Sequence, residues 1–243
     1  MKARPILFSG PMVRALLDGR KTQTRRIVKP QPPAAAKDAG VIASGSDSNG
    51  IWWWLDSTDL MEAGPVGDEF RCPYGVPGDL LWVRETHAQF AVGEGRDRPV
   101  PQCAAYRSTC AADGTFDYVN GRGEVMNLKI TKWTSAIHMP RWASRLTLRL
   151  HDVRVQRLRE ISEADSRAEG ARCLDIVSGR ETMDERIGSY ASHYRHIWEE
   201  INGQGSWNAN PWVWALTFAV LHENVDDVLG RVRQVRLALE AAA

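Results

Sequence analysis

Residues Lys29-Pro30-Gln31-Pro32-Pro33 carry three prolines within four positions. Each proline lacks a backbone donor, and each biases the residue before it away from the α region, so no helix runs through them. They open a stretch, 29–69, that reads as an insertion. Ala34 to Gly50 is small and polar, with Gly and Ser at its end, which predicts a surface loop. Ile51-Trp52-Trp53-Trp54-Leu55 interrupts it as a strand or an anchor to the core, with the tryptophans packing inside rather than stacking on a ligand. Residues 93–127 are Gly-rich and irregular, a second insertion with a strand near Ala104 to Arg107. A lone Gly121-x-Gly123 there lacks the third glycine and the strand–helix context of a phosphate loop. Between two such insertions the ordered body must be assembled from short elements.

Those elements are legible from periodicity. Arg4 to Phe8 reads as a strand stopped by Ser9-Gly10-Pro11. A helix starts at Pro11, carries Met12, Ala15 and Leu16 on one stripe, and ends at Asp18-Gly19. Val76-Pro77-Gly78-Asp79 is a turn, and Leu80 to Thr86 a strand. Ser135 to Trp142 is an ordered turn region. Leu146–Leu150 and Val153–Leu158 alternate apolar and polar residues, as half-buried strands do, with His151-Asp152 a turn or a bulge between them. Ser162 caps a helix that stops near Gly170, with Asp165 at the third helical position. Tyr190 to Ile201 is a helix with Tyr190, Tyr194, Ile197, Trp198 and Ile201 on one side, ended by Asn202-Gly203. Pro211 to Val220 is a strand rich in Trp, Val and Phe. Asp226 to Ala243 is a final helix set apart at 223–243. Its Val225, Val228, Val232, Val235 and Leu239 repeat at 3-4-3-4 spacing, which suits either packing on the body or pairing as a homodimer. Short strands with interspersed helices and no βαβ rhythm point to an α+β fold with a mostly antiparallel β-barrel.

The chain has 243 residues, 43% hydrophobic and 25% charged, a soluble globular balance in one large domain or two small ones. Net charge is +1, so any basic binding surface must be local. No apolar run is long enough for a transmembrane helix, and residues 1–8 do not read as a signal peptide. Cys72, Cys103, Cys110 and Cys173 form no CxxC pair, so reduced thiols in a cytoplasmic protein are expected, with no zinc ribbon.

The stretch Gly19-Arg20-Lys21-Thr22-Gln23-Thr24-Arg25-Arg26 packs four cations and two hydroxyls together without an acid. Its plain reading is a solvated loop after the first helix. Its sharper reading is a site for a polar or anionic substrate, with the turning chain exposing Lys21 and Thr24 in a cleft. Two other groupings have structural explanations: Glu85 beside Arg84 suits an ion pair with Arg84 or Arg145, and His193, His196 and Glu200 on one helix face lack a third metal ligand from elsewhere.

Several motifs then coincide in order. Gly19-Arg20-Lys21-Thr22-x-Thr24-x-Arg26 is followed by Pro77-Gly78-Asp79-x-Leu81-x-Val83. Leu158-x-x-Ile161-Ser162-Glu163-x-Asp165-x-x-x-Glu169-Gly170 comes next, and then the last strand with Trp214 to Phe218. Together they resemble the ASCH superfamily, its phage- and prophage-borne members most of all. Those members carry blocks similar to Cys72-Pro73-Tyr74-Gly75, Trp82-Val83-Arg84-Glu85, Ile137 to Arg145 and Asn210 to Trp214. The resemblance covers most of residues 2–220, outside the insertions. It implies a PUA-like β-barrel that holds RNA or modified nucleobases in a cleft. Some small ASCH proteins are amidohydrolases that remove the acetyl group of N(4)-acetylcytidine, and their catalytic Lys, Thr and Glu fall on Lys21, Thr24 and Glu169. Arg20, Arg25, Arg26 and Glu85 are then candidates to hold substrate, and no cofactor or metal is implied. Other members bind or cleave RNA, so a nucleobase- or RNA-binding module without turnover and a metal-independent ribonuclease stand as alternatives.

The chemistry asks for a neutral lysine. Thr24 Oγ is a poor nucleophile unless a neighbour takes its proton, and Lys21 accepts one only if its pKa falls far below the reference of about 10.4. Neighbouring arginines and desolvation both push it that way. Glu169 would protonate the leaving exocyclic amine, and Arg26 or a backbone N–H would steady the oxyanion.

Overall fold

The computed structural model describes residues 1–33, 35–40, 51–59, 62–91, 102–119, 124–175, 180–182 and 188–241. In chain order its elements begin with β1 (Ala3–Leu7), α1 (Gly10–Leu17), β2 (Gln23–Ile27), β3 (Asp38–Gly40), β4 (Ile51–Leu55), β5 (Pro65–Arg71) and β6 (Leu80–Arg84). They continue with β7 (His87–Ala91), β8 (Gln102–Tyr106), β9 (Thr115–Val119), β10 (Val125–Lys129), β11 (Thr147–Arg157) and α2 (Glu163–Ala168). The last are β12 (Leu174–Asp175), β13 (Gly188–Ser189), α3 (Tyr190–Asn202), β14 (Trp212–Leu221) and α4 (Val225–Ala241). The chain is thus mixed α+β, with mostly antiparallel strands in several sheets, and among the described residues no sheet closes into a barrel. No described helix is long and apolar enough to cross a membrane.

The elements fall into two compact units, each discontinuous in sequence. The first holds Met1–Lys2, Asp18–Asp79 and Arg149–Ala219. Here β11 lies beside β14, and β14 pairs antiparallel with β2, from Val213 opposite Ile27 to Thr217 opposite Gln23. The two alternating segments expected at 146–158 are one continuous strand, β11. Helix α3 buries Tyr194 and Trp198 against Leu158, Ile161 and Val213.

Within 29–69, the strand or anchor expected at Ile51–Leu55 is β4, and β3 and β5 join it in a three-stranded antiparallel sheet that the sequence did not indicate. Trp54 stacks on Phe70 at 4.4 Å, and Trp52 meets Trp214 edge-on at 5.5 Å. The aromatic area that this sheet buries is what orders a proline- and glycine-rich segment. Residues 41–50, and the Gly121-x-Gly123 pair, lie outside the described residues.

The second unit holds Ala3–Leu17, Leu80–Leu148 and Val220–Ala243. β1 runs parallel to β6, while β7 with β8 and β9 with β10 form antiparallel hairpins. In 93–127, expected to be irregular apart from a strand near Ala104 to Arg107, that strand is β8, and β9 with the first residues of β10 are paired strands that were not expected. Val225 and Val228 at the start of α4 are buried with Leu80 and Trp82. The final helix is thus packed into this unit at its first turn.

Candidate functional site

The basic cluster is strand for half its length, Gln23 to Arg26, and not a loop throughout. Gly19, at φ +70°, ends the turn after α1, a backbone shape glycine adopts without a Cβ penalty. The chain then straightens, and Thr22 N–H donates to Ala168 O at 2.8 Å while Thr22 O accepts from Phe218 N–H at 2.9 Å. From Gln23 onward the strand pairs with β14. Side chains directly opposite in an antiparallel pair share a face, and successive residues alternate. Gln23, Arg25 and Ile27 therefore lie on the face of Thr217, Ala215 and Val213, and Thr24 and Arg26 on the face of Leu216 and Trp214.

α2 delivers the carboxylates to the first of these faces. Ser162 Oγ accepts the N–H of Asp165 at 3.0 Å, capping the helix. At the other end Gly170 takes φ +87°. Ala171 N–H reaches Ser166 O at 3.2 Å and Gly170 N–H reaches Arg167 O at 2.9 Å, the two bonds of a Schellman stop. Asp165 and Glu169 are four residues apart, one helical turn, so both project from one side.

There they meet the odd-numbered residues of the basic stretch. Lys21 Nζ donates to Glu169 Oε2 at 2.7 Å and to the Glu169 carbonyl at 2.9 Å. Arg25 lies 3.3 Å from Glu169 Oε1 and 2.8 Å from Asp165 Oδ2, and also donates to Gln23 Oε1. Gln23 in turn donates to Asp165 and to Thr217 Oγ1. Lys21 is 0% exposed, Arg25 2% and Glu169 5%. Three ionised groups out of water need mutual compensation, and two carboxylates facing two cations supply it.

Burial pushes the Lys21 ammonium below its ordinary value. The Glu169 carboxylate works against that shift, while Arg26 and Arg25 add to it. Burial raises the Asp165 carboxyl, but the Gln23 hydrogen bond and the Arg25 guanidinium outweigh it and leave the group below its ordinary value. Tyr194, deep in the same core, is pushed well above the usual phenol value by burial and then by the Glu169 charge. Lys21 Nζ and the Glu169 carboxylate are thus one hydrogen bond apart, with the lysine held below its ordinary value.

The structure sorts the expected site residues. It brings Lys21 and Glu169 into contact, but neither Lys21 nor Thr24 opens to a cleft, because both are buried. Thr24 Oγ1 is buried without a hydrogen-bond partner, on the opposite face of β2 from Arg25. Arg25, expected to hold substrate, has its charge committed to Asp165 and Glu169. Arg26 is half-buried and bonds Tyr74. Arg20 is exposed, paired with Asp18 at 2.9 Å. Glu85 belongs to the second unit, where Arg145 grips it through Nε at 2.9 Å and Nη2 at 3.1 Å and Ser108 Oγ donates to it. It is the ion pair with Arg145 that the sequence allowed. His193 spends its Nδ1 on the Arg172 N–H at 2.7 Å, and among the described residues no three His, Cys, Asp or Glu side chains gather as a metal-binding group. Asp165, Gln23 and Tyr194 belong to the site and were not anticipated. The four-residue spacing of Asp165 and Glu169, set against the two-residue spacing of Gln23 and Arg25, is the signal that points to the first two.

Beside this cluster a cavity of about 690 Å³ is lined by Gly19, Arg20 and Thr22, by Ala164, Arg167 and Ala168 of α2, and by residues up to Tyr190. Comparison of the chain with family models, characterised proteins and solved structures finds no match.

Proposed function

We propose that the chain is an ASCH-type amidohydrolase, built on a PUA-like arrangement, that deacylates a modified pyrimidine nucleoside such as N(4)-acetylcytidine. What carries the reading is the contact between Lys21 Nζ and Glu169 Oε2, at 2.7 Å and out of water. A buried lysine–carboxylate pair is a poor source of stability, and buried groups whose pKa is displaced, as that of Lys21 is, concentrate at functional sites. In the reaction neutral Lys21 takes the Thr24 proton as Oγ attacks the acyl carbonyl. The tetrahedral intermediate collapses, and the exocyclic amine leaves with a proton from the Lys21–Glu169 pair. Water then releases the carboxylic acid from Thr24 and restores the hydroxyl.

The resting geometry sets a condition. Thr24 faces away from the carboxylate side of β2, so residues 21–24 must rearrange as substrate enters. The unpartnered hydroxyl of Thr24 has no bond to break in doing so.

Incubating the purified protein with N(4)-acetylcytidine and following cytidine by chromatography tests the reading. Turnover that disappears in Glu169→Gln and Lys21→Met, with both variants folded, supports it. No turnover by the parent chain, or turnover untouched by either substitution, defeats it. Thr24→Ala isolates the nucleophile: complete loss, with partial recovery in Thr24→Ser, is the expected pattern.

A further inference from the structure

The cavity beside the buried cluster has a composition that the deacylation chemistry does not use. Arg20, Arg167 and Arg172 line it with one acid, Glu181, and with Tyr190 and Cys173. Among these residues three cations meet one acid, and Asp18, outside the lining, pairs with Arg20.

Each cation is anchored by the fold. Arg20 donates to Gly170 O at 3.2 Å, at the stop of α2. Arg167 sits in the last turn of that helix, its guanidinium 5.7 Å from the Tyr190 ring centroid. Arg172 is held by Glu181, and its own N–H is bound by His193. The acids that balance Arg20 and Arg172 are Asp18 and Glu181, and both pairs are about half exposed. Exposed pairs of this kind are weak, so an anion of higher charge density can replace the carboxylates at small cost. Guanidinium groups fit phosphate oxygens two at a time. The volume falls in the range that encloses a small organic ligand, and Tyr190 offers a flat apolar face beside the cations.

We propose that this cavity binds a phosphate monoester carrying an aromatic ring, a ligand of the size and charge of a pyrimidine mononucleotide. The doubly charged phosphate meets Arg20, Arg167 and Arg172, and the ring lies against Tyr190. None of Lys21, Thr24 and Glu169 lines the cavity. The site therefore stands whether or not the chain deacylates anything, and binding is read without turnover.

Isothermal titration of the full chain with cytidine 5′-monophosphate, cytidine and inorganic phosphate tests it. The nucleotide should bind at least about tenfold more tightly than either fragment, the margin expected when charge-assisted hydrogen bonds and ring contact act together. Its affinity should fall as salt rises. Arg167→Gln and Arg20→Gln should each weaken it about tenfold. Arg20 is an exposed residue, so its substitution keeps the test alive if Arg167→Gln fails to fold. Arg236→Gln, exposed on α4, is the control and should change nothing. The proposal is overturned if the nucleotide does not bind or binds no better than cytidine. It is equally overturned if inorganic phosphate alone matches the nucleotide, or if neither arginine substitution matters.

Discussion

Lys21 Nζ and Glu169 Oε2 lie 2.7 Å apart, with both side chains sealed from solvent. The bond joins Lys21, two residues ahead of β2, to the C-cap of α2, 148 positions away. The acid at one end faces two cations, Lys21 and Arg25.

That arrangement predicts unequal mutant stabilities. Glu169→Gln removes the charge that both cations face and should cost about 3–5 kcal/mol. Lys21→Met leaves Glu169 with Arg25 and should cost less, about 1–3 kcal/mol. Urea denaturation of both variants, and of the double variant, measures this. A double variant less stable than the sum of the single losses would show that the charges do not compensate one another as described.

The pH dependence of stability should carry the signature of Lys21. Its pKa is lowered on folding, chiefly by burial. Between the folded value and the unfolded one near 10.5, the unfolded chain binds the extra proton. Stability therefore rises with pH across that window. Subtracting the curve of Lys21→Met from that of the parent isolates the effect. The difference should grow in the parent's favour as pH climbs toward the unfolded value, and a difference that shrinks would contradict the burial argument.

Much of the fold could be read from the chain, and the exceptions share a cause. α2, with its Ser162 cap and glycine stop, and α3 and β14 follow from local periodicity and capping. β2 does not, because Gln-Thr-Arg-Arg-Ile has no apolar alternation. It becomes a strand by pairing with residues 213–217, a long-range contact invisible locally. The same holds for β5, which is mostly polar and is ordered by β4. Among site residues, Lys21 and Glu169 were named from a motif resemblance. Burial of Arg25 does not follow from the local sequence, because an arginine's exposure depends on where the acids sit, and Asp165 reads locally as a capping position.

His87 offers a second titration, in the other unit. It is fully buried, its Nδ1 has no partner, and burial holds its pKa below the ordinary 6.5. The unfolded chain binds this proton first as pH falls, so stability should decline on acidification from about pH 6.5. His87→Phe should flatten the curve between pH 6.5 and the folded pKa relative to the parent. An unchanged slope there would mean that the ring is charged within the fold.

Gly170 tests whether the helix stop positions Glu169. At φ +87° a Cβ is strained, and Gly170→Ala should cost about 1–2 kcal/mol. If the stop also aims the Glu169 carboxylate, the proposed deacetylation should fall further in that variant than the folded fraction explains. Activity per folded molecule, with folding followed by circular dichroism, separates the two effects. Activity that simply tracks the folded fraction would assign Gly170 to stability alone.

α4 should behave as two halves. Val225 is 0% exposed and packs with Leu80 and Trp82, whereas Val235 and Leu239 are 60% and 67% exposed. All three lie on the same 3-4-3-4 stripe, so sequence alone gives them one role. Burial gives them two. Val225→Ala removes two buried carbons and should cost about 2 kcal/mol, while Val235→Ser should stay within about 0.5 kcal/mol. Equal losses in urea melts at low protein concentration would show that the distal stripe is covered in solution. Sedimentation of the parent and of Val235→Ser would then tell whether a second chain covers it.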